Sequence, residues 1–466
     1  MKIPNWVKNA IFYQIFPDRF YNGDLTNDPE NVQTWGSKPN IWNFQGGDLK
    51  GIIKKMDYLV ELGINAIYLN PIFYSASNHR YDTIDYFRID PKLGNLEVFH
   101  ELIQVAHRNE VKVILDGVFN HTGRGFFAFN DILENGENSQ YRYWYHIYHF
   151  PVDAYTPGKA EDYAAWWGFK SLPKLNTEYP AVRNYLFNVS RYWIEQGADG
   201  WRLDVPNEID DNSFWSEFQN IVRSINPEAY IVGEIWEADK KWIENGFFDG
   251  LMNYPLRSAI IDILNEKITP SVFLQQITNL MNNYPQDNQF AMFNLLGSHD
   301  TERIRTILHD DKQLIELGYL FLFTFIGAPV IFYGDEVGIR GGKDPECRRA
   351  FPWDTQQWEN DLSQKIRKLI QIRRVFPALK SGNFIPLNFD DQKRIISYAR
   401  EYENNIFIMV INFSQEAQNF EINLEGLNLA DKSRLNNLLG DEFFVINSHG
   451  KTLNINIFPK TGYILH

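Results

Sequence analysis

The sequence predicts an α/β protein: a (β/α)8 TIM barrel with an inserted subdomain after the third strand and a C-terminal antiparallel β domain. Three observations carry that expectation. Between residues 50 and 340, amphipathic helical runs alternate with short β-rich runs. Eight β-rich runs occur, at residues 10–16, 66–69, 111–119, 200–205, 229–235, 250–253, 292–296 and 329–333. Asn120, His121, Arg202, Asp204, Glu234, His299 and Asp300 all fall where such runs end. Alternation implies a parallel sheet, eight units close a barrel, and barrel sites sit at the C-terminal strand ends. An open doubly wound sheet is the competitor, but no Gly-rich dinucleotide loop follows the first run.

Taken in order, the first helix shows Ile52, Met56 and Leu59 at helical spacing, with Gly63 placed to end it. Val182, Leu186, Val189 and Trp193 repeat the spacing between Pro180 and Gly197. Residues 121–176 lie after the third strand, rich in Tyr, Trp and Phe and too long for an ordinary connection. They are expected to form a subdomain over the barrel mouth. A further helix is expected around residues 362–372, then a linker at 376–382. Beyond it the pattern turns to strands. Residues 395–402 and 406–413 flank an Asn-Asn turn, and Leu453, Ile455 and Ile457 alternate. The expected division is a barrel domain at 1–382 and a structural β domain at 383–466.

Composition narrows the functional classes. At 466 residues the chain exceeds the roughly 250–300 at which one core stops growing. With 45 basic against 59 acidic residues, the net charge of −14 argues against nucleic-acid binding. No apolar run reaches the length of a membrane span, and the first residues lack a signal-peptide core. A single cysteine, Cys347, excludes an intramolecular disulfide. A cytoplasmic protein without membrane partners is expected. Aromatics at 15% suit stacking on sugars, and large cores equally.

Arg202 and Asp204 stand two apart on a strand and share a face. A guanidinium beside a carboxylate keeps it ionised, as a nucleophile requires, although a structural ion pair fits the spacing equally. Glu234 ends the next strand beside Trp236, where apolar surface can raise a carboxyl's pKa toward general-acid use. Asp300 follows the seventh strand and Asp116 lies within the third. Paired carboxyls are the equipment of glycoside hydrolysis. Spacing alone reaches a carboxylate-rich barrel enzyme.

Four ordered segments add to this: Asp116-Gly117-Val118-Phe119-Asn120-His121, Gly200-Trp201-Arg202-Leu203-Asp204-Val205, Gly233-Glu234-Ile235-Trp236 and Leu296-Gly297-Ser298-His299-Asp300. They resemble the four short regions of the α-amylase family of retaining α-glucoside enzymes. Leu172-Pro173-Lys174-Leu175-Asn176 and Asp344-Pro345-Glu346-Cys347-Arg348-Arg349 resemble its neopullulanase, cyclomaltodextrinase and maltogenic amylase branch. The resemblance implies Asp204 as nucleophile, Glu234 as general acid/base and Asp300 as the third carboxylate. It implies sugar binding by His79, Tyr81, Asp116, His121, Arg202, Trp236, His299, Asp344 and Arg348. The implied substrates are starch, maltooligosaccharides, cyclodextrins and pullulan. A glucanotransferase using the same residues is the rival, and a non-catalytic glucan-binding relative fits poorly because all three carboxylates are present.

Asn22, Asp24, Asn27, Asp28, Gly46 and Asp48 form an oxygen-rich set suited to Ca²⁺, though such runs are ordinarily surface turns. The resemblance implies a structural calcium loop there, with Gly46 giving its carbonyl. No organic cofactor is implied. Members of the branch carry an N-terminal β domain that supports dimerisation. Here the barrel begins almost at once, which leaves the oligomeric state open, a monomer included, and implies an open cleft.

Overall fold

The computed structural model describes residues 3–209, 211–430, 432–447 and 451–466. Eight short strands run parallel: β1 (Phe12–Ile15), β2 (Ala66–Leu69), β3 (Lys112–Gly117), β4 (Gly200–Leu203), β5 (Tyr230–Gly233), β6 (Gly250–Leu251), β7 (Phe293–Leu295) and β8 (Ala328–Phe332). Their spatial order is β6-β5-β4-β3-β2-β1-β8-β7, and a parallel bridge from Met252 to Phe293 closes the ring. All eight sequence-predicted runs are strands of this barrel, with frayed ends trimmed by a residue or two.

Period-two alternation explains what the barrel holds. Phe12, Ala66, Tyr68, Ile114, Tyr230, Val232, Phe293, Leu295 and Val330 form one buried cluster inside the ring. Their neighbours Tyr13, Ile67, Val113, Trp201, Ile231 and Ile331 belong to the outer cluster, packed under the helices. The helix Met56–Leu62 ends at Gly63, whose φ of 97° brings its N–H to Leu59 and Val60 carbonyls. A side chain there would be strained and would strike Ile370. The helix Pro180–Glu195 buries Val182, Leu186, Val189 and Trp193, the face its spacing predicts.

Residues 121–176 have little regular structure beyond the helix Phe127–Asn135. Isolated bridges pin them, including His121 to Lys174 and Ala165 to Pro173. Phe129 packs on Tyr145 and Tyr163 at 5.0 Å each, while Tyr143, Tyr155, Trp167 and Phe169 stay exposed.

The linker expected at 376–382 is a structured element instead. Pro377 starts a short helix through Ser381 that buries Ala378 and Leu379. Proline fits a helix's first turn, so a break signal here starts a second helix. A four-stranded antiparallel sheet follows, in the order β9 (Asn383–Asp390), β10 (Ile395–Tyr402), β11 (Asn405–Asn412) and β16 (Thr461–Leu465). Two antiparallel pairs stand apart from it in the hydrogen-bond pattern: β12 (Gln418–Asn423) with β15 (Thr452–Ile457), and β13 (Arg434–Asn436) with β14 (Phe443–Val445). Ile396, Tyr398, Phe407, Met409 and Ile411 join the main core, whereas Ile395, Ile408 and Val410 meet Ile422, Leu453, Ile455 and Ile457. The β10–β11 turn is Glu403-Asn404, with Glu403 left-handed at φ 54°, one residue earlier than expected. Among the described residues no helix is long and apolar enough to cross a membrane.

Candidate active site

The alternation that fills the barrel with apolar side chains continues upward into polar ones. On β1, Phe12 is followed on the same face by Gln14. On β2, Ala66 and Tyr68 lead to Asn70; on β3, Ile114 leads to Asp116. Arg202 and Asp204 continue β4 in the same phase, and Glu234 continues β5.

Arg202 lies at the centre, fully buried. Its Nη1 is 2.8 Å from Asp116 Oδ1 and 2.9 Å from Asp204 Oδ1. Its Nη2 is 3.0 Å from Glu234 Oε2, an ion contact without hydrogen-bond alignment. Asp116 Oδ2 accepts from the Tyr68 hydroxyl at 2.5 Å and the Tyr81 hydroxyl at 2.8 Å. Glu234 Oε2 also accepts the Val205 N–H at 3.1 Å. Val205 holds φ 36°, a left-handed conformation that a β-branched residue rarely adopts. That strain sits one residue beyond Asp204 and aims the N–H at Glu234.

Asp300 bridges a second group. Its oxygens stand 2.9 Å from His299 Nε2 and 3.2 Å from Arg348 Nη2, and its side chain is 34% exposed to the cleft. Arg348 also pairs with Asp344 at 3.0 Å and donates through Nε to the His299 carbonyl at 2.8 Å. The Tyr81 ring stacks on His299 at 5.3 Å and nearly parallel, and His79 stacks on Tyr81 at 6.0 Å. His121 stacks on Trp166 at 5.7 Å. Trp236 is half exposed and lies flat on Tyr254 at 3.7 Å.

Electrostatics divide the carboxyls. Burial is the largest influence on Asp204 and pushes its pKa well up; Arg202 opposes, while Glu234, Asp116 and Asp300 add to the push. Burial likewise raises Glu234, again against Arg202. The pairing of Arg202 with Asp204 that the sequence implied is therefore opposed by burial and by the sharing of one guanidinium among three carboxylates. Asp300 differs. Burial pulls it up, but His299 and Arg348 hold it well below the usual carboxylate range. Burial pushes His121 down to about 3, so its ring is neutral, and Nε2 makes no aligned hydrogen bond.

Direct contacts therefore join Tyr81, Asp116, Arg202, Asp204, Glu234, His299, Asp300, Asp344 and Arg348, with His79 stacked against them. His121 and Trp236 flank the group through Trp166 and Tyr254. Gln14, Tyr68, Asn70, Val205 and Tyr254 were missed from the sequence. Their signal was the strand phase for the first three; Val205 and Tyr254 gave none.

The oxygen-rich loop resolves into two kinds of residue. Asp48 accepts the N–H groups of Gly23, Asp24 and Gly51 and the Asn27 amide, capping a helix. Asp24 is held down to about 2 by hydrogen bonds from Thr26 and Lys50. Asn22 Oδ1 and Asn27 Oδ1, by contrast, are buried without a partner. Burial pushes Asp28 up, and a Cβ on Gly46 would meet Asp28 Oδ1 at 2.3 Å. Among the described residues no cluster of three His, Cys, Asp or Glu could hold a metal, so any cation here would rely on amide and backbone oxygens together with Asp28. Two orphaned amide oxygens beside a carboxylate fit a hard cation.

An eight-stranded barrel that gathers carboxylates around one buried guanidinium at its C-terminal rim is the frame of a carboxylate-driven glycoside hydrolase. The chain belongs to the α-amylase family: residues 14–373 match the family's catalytic domain. It is 44% identical over 445 residues to a cyclomaltodextrinase of Thermoanaerobacter pseudethanolicus, covering 94% of this chain and 76% of that protein. It is 41% identical to neopullulanase 2 of Thermoactinomyces vulgaris, covering 99% and 78% respectively. The fold superposes with a TM-score of 0.90 on the cyclic α-maltosyl-(1→6)-maltose hydrolase of Arthrobacter globiformis in complex with that sugar, at 36% identity and full coverage of both chains.

Proposed function

We propose that the chain hydrolyses α-1,4-glucosidic bonds of starch, maltooligosaccharides, cyclodextrins or pullulan with retention of configuration. The carrying observation is that Asp204 and Glu234 lie against neighbouring nitrogens of Arg202, at 2.9 and 3.0 Å, while Asp300 is held ionised apart from them by His299 and Arg348. Asp204 makes the aligned bond to Arg202, so it is the ionised member. Glu234, whose Oε2 faces Arg202 Nη2 and the Val205 N–H, is the member that carries the proton.

Glu234 protonates the glycosidic oxygen as the Asp204 carboxylate attacks the anomeric carbon. The bond to the leaving sugar breaks and an ester to Asp204 forms. Water then attacks that carbon and gives its proton to Glu234; the ester breaks and both groups are restored. Asp300, Arg348, His299 and the unpartnered His121 Nε2 hold hydroxyls of the distorted sugar. Trp236, flat on Tyr254, offers a stacking surface. His79, Tyr81 and Asp344 complete the sugar-binding set.

The oxygen-rich loop is read as a structural Ca²⁺ site in which Asn22, Asn27, Asp28 and the Gly46 carbonyl are ligands, with Asp24 and Asp48 shaping the loop. A lone buried thiol in 466 residues suits a reducing, cytoplasmic setting. The test incubates the protein with γ-cyclodextrin, pullulan and soluble starch and follows initial products by chromatography. Shorter α-configured sugars are expected. Products longer than the starting sugar would shift the reading to a transferase, and no turnover would overturn it.

A further inference from the structure

Behind the rim, Gln14 on β1 is fully buried. Its Nε2 lies 3.0 Å from Asn70 Oδ1 and 2.8 Å from His299 Nδ1. Donor and acceptor roles along this chain follow from its far end. Asp116, paired with Arg202, offers only acceptor oxygens, so the Tyr81 hydroxyl donates to it at 2.8 Å. That hydroxyl has one hydrogen, so towards its other neighbours Tyr81 is an acceptor. The Asn70 amide therefore turns its Nδ2 to Tyr81 at 2.9 Å and its oxygen to Gln14. Gln14 answers with an N–H, and its second N–H meets His299 Nδ1. Reversing the Gln14 amide would set its oxygen against Asn70 Oδ1. Its own Oε1 is left buried and unpartnered, showing that the amide is oriented by its donors.

The opposite edge of the imidazole demands the same state. His299 Nε2 faces the Tyr81 hydroxyl at 2.6 Å and Asp300 Oδ2 at 2.9 Å. Both are acceptors in that direction, so Nε2 bears the hydrogen. The backbone is fixed separately, since Arg348 Nε and Cys347 Sγ both donate to the His299 carbonyl. Apart from the Gln14 amide, the groups in contact with the ring are the titratable Tyr81 and Asp300, with Arg348 and Glu234 beyond them.

We propose that Gln14 is a positioning residue that sets the tautomer of His299. By filling Nδ1 from behind, it keeps the proton on Nε2, where it serves Asp300 and a sugar hydroxyl. Asn70 is the spacer that transmits the polarity of Asp116 to Gln14. An imidazole's free nitrogen is assigned by the bond its other nitrogen makes.

Neutron diffraction from deuterium-exchanged crystals tests this directly. A deuteron on His299 Nε2, none on Nδ1 and two on Gln14 Nε2 are expected; a deuteron on Nδ1 overturns the proposal. A Gln14→Met variant keeps the chain length and removes both N–H groups. Its kcat is expected to fall on the order of 10- to 100-fold, the range for an imidazole losing its orienting partner, with KM changed far less. A folded variant whose kcat stays within about twofold of the parent's would also overturn it. If the variant does not fold, the neutron result decides. The kinetic arm rests on the hydrolase reading, whereas the proton position does not, so the two can fail separately.

Discussion

Replacing Arg202 with Met removes the one cation that Asp116, Asp204 and Glu234 share at 2.8, 2.9 and 3.0 Å, in a position with no solvent exposure. Removing one partner of a buried ion pair costs about 3–5 kcal/mol, a large share of the roughly 5–15 kcal/mol that holds a domain folded. The loss depends on pH. Without the guanidinium, folded-state pKa values of Asp204 and Glu234 rise further above their unfolded values, because Arg202 is the largest lowering influence on both. A group raised in the folded state contributes stability below its unfolded pKa and loses it as pH climbs through the folded one. Destabilisation should therefore be smaller at mildly acidic than at alkaline pH. For catalysis, each lost charge-assisted bond of about 1.5–3 kcal/mol raises the cost of ionising Asp204 by roughly one to two pKa units. The acid limb of the kcat profile should move up accordingly. Thermal unfolding and initial rates on γ-cyclodextrin across pH measure both effects. A variant with parental rates, an unmoved acid limb and pH-independent destabilisation would refute the reasoning.

Glu234→Gln cannot supply a proton, so kcat should drop about 10²–10⁴-fold on oligosaccharides and much less on α-glucosyl fluoride, whose leaving group needs no acid; stopped assays on both substrates show the difference. Chelation should lower the unfolding temperature, and added Ca²⁺ should restore about 2.7 kcal/mol of stability at a hundredfold excess over Kd, with Asn22→Ala abolishing the response. Val205→Gly should relieve a left-handed cost of about 1–2 kcal/mol, partly offset by glycine's roughly 0.5–1 kcal/mol of added chain entropy. Denaturant midpoints should therefore rise slightly while kcat falls, as the N–H on Glu234 Oε2 loosens.

The barrel was legible because alternation is a local signal repeated eight times, and strand phase then dictates which side chains enter the ring. The site was legible in its ionisable members, which stand at strand ends in short distinctive runs. Its supporting members were not. Gln14 and Asn70 sit between apolar neighbours with no charge to draw attention, and their roles arise from contacts with residues 285 and 11 positions away in the chain. Tyr254 begins the helix after β6, so no spacing connects it to Trp236. The segment at 376–382 carries Pro and Gly, the letters of a break, yet burial of Ala378 and Leu379 turns it into a helix. The sharing of Arg202 was hidden for a related reason: the pair Arg202/Asp204 is visible in one strand, whereas the competing claims of Asp116 and Glu234 on the same guanidinium come from two others.

That sharing is what divides the labour. A carboxylate with its own cation is ionised at neutral pH, and two such groups would leave no acid to protonate a leaving oxygen. On the proposed mechanism, three carboxylates around one guanidinium keep a proton, and the aligned bond to Asp204 leaves it on Glu234. Asp300 has its own cation, Arg348, together with the His299 N–H, and stays charged beside a sugar that becomes positive as its bond breaks. Environments that push neighbouring carboxyls apart are how one cleft holds an acid and a base together. The division depends on counting cations as much as on the carboxylates. A Lys placed at Asn70, within the same network, should draw the retained proton off the cluster and lower kcat while leaving Asp204, Glu234 and Asp300 intact. Unchanged turnover in a folded Asn70→Lys protein would show that the shared guanidinium does not set the proton's place.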